Sequence, residues 1–406
     1  TALALVLSCT FSGKRKKRKI MALNRNASRK SLNAESLKMP ATIADRMYNF
    51  SAGPAVLPVT VLEQIRDEML ALPGVGSSVL EISHRSKAFD EILNQTEASL
   101  RKLLSIPEGY SVLFLQGGSR LQFSMIPLNF LQDSGRPADY LITGTWGKSA
   151  LAEAKKVGEA RVAWDGSPDN FNAIPSSSDP SWSEDSAYVH YTSNETIQGV
   201  QFTSEPECGT SPLICDASSD FLSRPLDISR YGMIYACAQK NAGPAGVTIA
   251  IIKDELLEQG ADTLPGYLLY RNHAKAKSCY NTPPTFAVYV VGLIAKWLLN
   301  EVGGLAAIEK TNGEKAAKVY GVIDQHDTFY RGHAKKDVRS KMNVTFRLPT
   351  EELETQFLSG AKTEGLTDLK GHRSVGGIRA SIYNAMPVEG VDALTKFMQD
   401  FANKNS

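Results

Sequence analysis

The sequence predicts an α/β fold, with a large domain around a mostly parallel central sheet followed by a smaller C-terminal α/β domain. Three observations carry this expectation. Short apolar runs alternate with helix-spaced segments or loops between residues 110 and 253, the pattern of a sheet covered on both faces. Beyond two long helical segments, residues 342–404 repeat a strand, helix, strand, helix order on a smaller scale. A length of 406 residues also exceeds what one hydrophobic core usually holds.

The structural pattern begins near Tyr48. NFSAGPAVLP (49–58) is an extended entry punctuated by Gly and Pro, and VTVLEQIRDEML (59–70) spaces its apolar residues at helical intervals. FDEILNQTEASLRKLLSI (89–106) repeats that period through Phe89, Ile92, Leu93, Leu100 and Leu103. YSVLFLQ (110–116) is a short apolar run ended by GGS, and LQFSMIPLNFL (121–131) follows as a helix. DYLITG (139–144) reads as a strand, GKSALAEAKKVG (147–158) as a helix, and SPDNFNAIPSSSDPSWSED (167–185) as a polar loop. Four strands come next: AYVHYTSNE (187–195), PLICDASS (212–219), YGMIYACAQK (231–240) and GVTIAIIK (246–253). PTFAVYVVGLIAKWLLNEVGG (284–304) and LAAIEKTNGEKAAKVYGVID (305–324) are long helices. MNVTFRLP, EELETQFLSGAKTEG, GGIRASIYN and VDALTKFMQDFANK complete the chain. The expected organisation is a basic leader over 1–46, an N-terminal segment over 47–62, a large domain over 63–304 and a small domain over 305–406.

A hydrophobic fraction of 42% and a charged fraction of 22% are ordinary for a globular protein. The net charge of +2 hides an asymmetry. Residues 1–44 hold ten Lys or Arg against the single acid Glu35, which leaves 35 basic and 42 acidic side chains for the rest. A body with net charge −7 argues against a nucleic-acid-binding fold. The run KRKKRK suits a nuclear signal, a nucleic-acid arm or part of an organelle transit peptide, and it also suits a leader without structure. A cytoplasmic enzyme is expected, with a plastid or mitochondrial placement if the leader is a transit peptide. No apolar run reaches the roughly 20 residues of a membrane span, so no membrane partner is expected. Five cysteines without CxxC spacing read as reduced thiols, and six histidines without HExxH spacing imply no metal.

In sheets of this kind the ligand lies beyond the carboxyl ends of the strands. Asp216 ends PLIC, Lys240 ends YGMIYACAQ, the turn Gly117 to Arg120 ends SVLFLQ, and Trp146 follows LITG. Singly, each has an everyday reading as a solvated strand end, a helix cap, a turn or packing. Together they are the parts that hold pyridoxal 5'-phosphate. A lysine amine condenses with the cofactor aldehyde and can later move a proton between carbon atoms. A carboxylate keeps the pyridine nitrogen protonated. A glycine turn feeding a helix offers N–H groups to the phosphate, and a Trp supplies a flat face for the ring.

The segments NFSAGPAVLP, SHRSKAF, LFLQGGSRLQF, YTSNETIQG, SSDFLSRP, AQKNAGPAG, NTPPTF and KGHRSVGGIRASIYNAMP run in the order found in one family, and cover most of the chain from Met47 to Ala402. The sequence closely resembles the phosphoserine aminotransferases, a class V branch of the fold-type I pyridoxal-phosphate transferases. The resemblance implies that Lys240 forms the covalent link to the cofactor, Asp216 faces the pyridine nitrogen, Trp146 stacks on the ring and Thr196 meets the ring hydroxyl. Ser119, Arg120 and Gln239 resemble phosphate contacts. Asn281 and Thr282 match residues that reach the phosphate from a second subunit, which implies a homodimer. Arg379 resembles the clamp on the α-carboxylate, while His84 with Arg85 and His372 with Arg373 resemble the site for a distal anion. Glutamate and 3-phosphohydroxypyruvate, giving O-phosphoserine, are the implied substrates. Two positions depart from many bacterial relatives: Ala52 stands in place of a second serine, and Ser119 in place of a third glycine.

Two rivals compete. An alanine–glyoxylate-type aminotransferase needs neither HR pair, and a cysteine desulfurase needs a nucleophilic cysteine in a loop that no Cys here clearly supplies. A basic-tailed nucleic-acid-binding protein would use residues 14–30 and show strongly salt-dependent binding.

Overall fold

The structure, a computed structural model, describes residues 46–405, so the expectations for the basic leader fall outside the described residues. Seven strands form the central sheet: β2 (Tyr110–Leu115), β3 (Ala138–Ile142), β4 (Ala160–Asp165), β5 (Tyr188–Thr192), β8 (Leu213–Asp216), β9 (Met233–Cys237) and β10 (Thr248–Lys253). Their order is β2-β10-β9-β8-β5-β3-β4. All neighbouring pairs are parallel except those of β10, which runs antiparallel to both β2 and β9. Only ten residues separate Cys237 from Thr248, and a parallel crossover needs about a dozen or more. That short connection carries Lys240. The edge strand β4 has no counterpart in the sequence reading; Arg161 and Val162 are both exposed there, so the run shows neither a continuous apolar stretch nor clean alternation.

Successive residues of each central strand point into different cores. On β2, Val112 and Phe114 join one cluster while Leu113 and Leu115 join the other. The first cluster is roofed by α1 (Val59–Glu68), α2 (Lys87–Leu104) and α7 (Thr285–Trp297), the second by α3 (Gly118–Phe130), α4 (Thr145–Ala154), α5 (Asp254–Leu257) and α6 (Tyr270–Lys275). Ser86 caps α2, its Oγ accepting the Phe89 N–H at 3.2 Å. Helices α2 and α7 pack closely because position 292 is glycine, where an added Cβ would collide with Thr96 Oγ1. The stretch Thr285–Val302 is long and apolar enough to cross a membrane by composition. Ala287 to Ala295 are all buried inside the protein, however, and the stretch is the central helix of the first core. Its last turn, Leu298–Val302, widens to a π-helix.

The C-terminal part is built on the antiparallel sheet β11 (Arg331–Gly332), β12 (Asn343–Arg347) and β14 (Ile378–Ser381), with α8 (Leu305–Gln325), α9 (Glu351–Thr363) and α10 (Val388–Asn405). A third core lies here. Helix α8 spans two cores, with Leu305 and Ile308 in the first and Ala316, Val319, Val322 and Ile323 in the third. The chain entry joins this part too: β1 (Tyr48–Asn49) pairs in parallel with β13 (Leu366–Thr367), and Phe50 is fully buried in the third core. A short hairpin of two-residue strands, β6 (Asn194–Glu195) with β7 (Val200–Gln201), follows β5.

Candidate active site

Strands β8 and β9 run in parallel, so their carboxyl ends fall side by side. Asp216 is the last residue of β8, and Lys240 lies three residues past the end of β9. The lysine Nζ donates to Thr196 Oγ1 at 2.7 Å and lies 5.6 Å from the centre of the Trp146 ring. Burial depresses the Lys240 ammonium below its ordinary pKa, against the pull of the Asp216 carboxylate. Asp216 is buried, its Oδ1 accepting the Ser218 N–H at 3.0 Å. Burial raises its pKa and the Lys240 charge opposes that rise. Gly53 gives the entry segment close access to this pair, since a Cβ there would stand 3.3 Å from Lys240 Cγ.

Beyond β2 the chain turns through Gly117 and Gly118, at φ 88° and 63°, directly into α3. The first-turn N–H groups of that helix have no partner within the helix. The Ser119 N–H donates to Cys237 Sγ at 3.0 Å, and its hydroxyl is 2.8 Å from Ser218 Oγ and 2.9 Å from Cys237 Sγ. Arg120 stacks its guanidinium 5.7 Å from the Trp146 ring centre.

Trp146 is held from behind by a carboxylate that sequence reasoning overlooked. It lies in the first turn of α4, where Glu195 accepts the Trp146 N–H at 3.1 Å and the Gly147 N–H at 2.9 Å. Glu195 is fully buried, and burial pushes its pKa up to about 7 despite both N–H donors. Gly144 leaves room for the Glu195 side chain, which a Cβ at that position would meet at 2.5 Å. The motif itself offers a hint, as Glu195 immediately precedes Thr196 in NET.

A single cleft of about 350 Å³ is lined by Ser119, Arg120, Trp146, Thr196, Asp216, Gln239, Lys240, His372 and Arg379, all of them selected from sequence. Sequence reasoning missed Thr192, Asn194, Ser218 and Cys237, which also line it. Trp146 Nε1, Thr192 Oγ1 and Asn194 Oδ1 are buried in that lining with no hydrogen-bond partner, as is Arg379 Nε. A polar ligand would satisfy them. A second cavity of about 340 Å³ adjoins through Ile197, His372 and Arg379. Five predicted residues stand outside the cleft lining. Arg85, Asn281, Thr282 and Arg373 are exposed and His84 is half-buried. Asn281 Nδ2 reaches Gln116 Oε1 at 3.3 Å.

Residues 47–394 match the family model described as aminotransferase class-V. The chain belongs to the class-V aminotransferases. Among its curated relatives, the phosphoserine aminotransferase of Rhodopirellula baltica is 54% identical over 376 residues, spanning 92% of this chain and all of the relative. Two solved structures share the architecture of this class-V aminotransferase. A phosphoserine aminotransferase from Bacillus circulans subsp. alkalophilus superposes with a TM-score of 0.87 at 46% identity, covering 89% of this chain and 99% of the other. A PLP-bound phosphoserine aminotransferase from Trichomonas vaginalis gives 0.83 at 42% identity, covering 87% and 100%.

Proposed function

We propose that this chain is a pyridoxal-phosphate-dependent phosphoserine aminotransferase. It interconverts glutamate and 3-phosphohydroxypyruvate with 2-oxoglutarate and O-phosphoserine, a step of L-serine biosynthesis. The observation that carries the proposal is the convergence of Lys240, Asp216 and Trp146 with His372 and the guanidinium of Arg379 on one cleft. The unpartnered polar atoms of that cleft and the glycine-led start of α3 fit the cofactor's ring and phosphate.

When bound, pyridoxal phosphate supplies an aldehyde that exchanges amino groups and a ring that takes up electron density. Lys240 would hold the cofactor through its aldehyde, and, once displaced by substrate, its buried amine, whose pKa burial lowers, would be placed to accept the substrate's α-proton. Asp216 keeps the ring nitrogen protonated, and Thr196 donates to the ring hydroxyl. Trp146 orients the ring, while Ser119, Arg120 and Gln239 hold the phosphate. The Arg379 fork binds the α-carboxylate in a bidentate manner. His372 and Arg373 take the distal anion. Arg85, His84, Asn281 and Thr282 stand outside the lining of the chain's own cleft, and a homodimer in which they complete the partner's site accounts for them. The bacterial curated relatives support a cytoplasmic placement and give the organelle alternative no support.

The test is a coupled assay with glutamate and 3-phosphohydroxypyruvate, recorded beside the absorbance spectrum. Turnover and the visible band of the lysine-linked cofactor are expected in the wild type, and both vanish in Lys240→Ala. Normal turnover in that variant, or a preference for alanine as amino donor, overturns the proposal.

A further inference from the structure

His372 and Arg373 sit on a turn, residues 371–377, that is soft by composition: three of its seven residues are glycine, and 373–376 are exposed. Most of its hydrogen bonds are internal. Gly371 N–H donates to Gly377 O at 2.8 Å, the Val375 and Gly376 N–H groups donate to His372 O at 3.0 and 2.8 Å, and His372 Nδ1 pairs with Ser374 Oγ at 2.7 Å. Among the described residues, one side chain from outside is hydrogen-bonded to the turn. Arg347, the last residue of β12, donates Nη1 to Val375 O at 2.6 Å and Nε to Glu354 Oε1 on α9 at 2.6 Å. Glu354 is itself buried and also accepts the Leu348 N–H at 3.3 Å.

The turn is shaped around this guanidinium. At Gly377, φ 71°, any Cβ would collide with Arg347 Cδ, and at Gly376, φ 69°, it would stand 3.1 Å from Nη1. Strand alternation puts Asn343, Thr345 and Arg347 on one face of β12. Asn343 Oδ1 accepts from Asn194 Nδ2 at 2.8 Å, and Thr345 Oγ1 donates to Gln198 O at 2.9 Å. One strand face therefore ties down both the 194–198 segment that carries Thr196 and the turn that carries His372.

We propose that Arg347 is a positioning residue that holds the 371–377 turn in register with the cleft and so sets the preference for substrates bearing a distal anion. The inference rests on the reading that His372 and Arg373 meet that anion. Without Arg347, the turn keeps its internal bonds but loses its tie to the end of β12. The distance between the two anchors of a doubly anionic substrate then drifts. A misplacement of about 1 Å can cost about 100-fold.

The test compares wild type, Arg347→Gln, Arg347→Lys, Glu354→Gln and His372→Ala as cofactor-loaded enzymes. Arg347→Gln is expected to raise KM for 3-phosphohydroxypyruvate and for glutamate by about 10- to 100-fold, with kcat within about two-fold of wild type. The cofactor absorbance and the slow amino transfer from alanine, which has no distal anion, stay as in wild type. Arg347→Lys, which keeps the charge but cannot span both partners, recovers part of KM. Glu354→Gln shifts KM the same way by less and carries the test if Arg347→Gln does not fold. Unchanged KM in Arg347→Gln, or equal losses with alanine, overturns the inference. If wild type fails to use the phosphorylated keto acid, the functional reading falls with it. If wild type uses it and His372→Ala raises its KM while Arg347→Gln does not, only the role of Arg347 falls.

Discussion

Replacing Glu195 with glutamine separates charge from shape at a buried position behind the site. The carboxylate is fully buried and accepts two backbone N–H groups, and burial lifts its pKa from 4.5 to about 7. Between those two values the folded chain binds more protons than the unfolded one, so this group's contribution to stability falls as pH rises from 4.5 to about 7. A gap of 2.5 units corresponds to about 3 kcal/mol. Glutamine does not titrate, but it presents an NH₂ to one of the two N–H donors, at a cost of about 1–2 kcal/mol. The variant is therefore expected to be less stable than wild type at pH 5 and to draw level or pass it by pH 8. Urea unfolding of the cofactor-free proteins at pH 5, 6, 7 and 8 measures this difference. Two curves that stay parallel across that range, within about 0.5 kcal/mol, would show that Glu195 does not titrate where its burial places it.

Two further substitutions probe other buried positions. Gly144→Ala would place a Cβ 2.5 Å from Glu195 Cδ and 2.6 Å from Gln198 Oε1, so a loss of about 1–3 kcal/mol in thermal unfolding and weaker cofactor retention are expected. Lys315 is fully buried, donates to Tyr383 O at 2.7 Å and Met386 O at 3.1 Å, and is pushed down to about 7 by burial. In that case the unfolded chain binds the extra proton. Wild type gains stability as pH rises from 7 towards 10.5, by up to about 5 kcal/mol, while Lys315→Met does not. Denaturation midpoints at pH 7 and 9.5 that move together in the two proteins count against a buried, depressed lysine.

The alternation of strands and helices was legible because each central strand is buried on both faces and so reads as an unbroken apolar run. Strand β4 was not, because it lies at the edge with half its side chains in water. The direction of β10 is invisible in its own residues and is set by the length of the connection before it. Within the site, Lys240 and Asp216 were readable as charges ending apolar runs. Glu195 was not, since its role depends on the N–H groups of residues 48 and 49 positions earlier, which only the tertiary fold brings to it. Ser218 and Cys237 were hidden for the same reason: small polar or soft side chains carry no pattern until the Ser119 turn is folded against them. Arg85 and Asn281 belong to motifs that the sequence displays plainly, yet in a single chain they are exposed and stand outside the cleft lining.

The reversed strand β10 also works as a spacer. It starts where β2 and β9 end, so the two strands that deliver the glycine turn and the lysine are held one intervening strand apart, two ladder spacings of about 4.8 Å each. That interval is built from backbone hydrogen bonds, which no side-chain substitution can lengthen or shorten. Point mutations around the cleft can change how firmly each end of a ligand is gripped. The separation between the two grips is fixed by strand order, and only a change of topology could alter it.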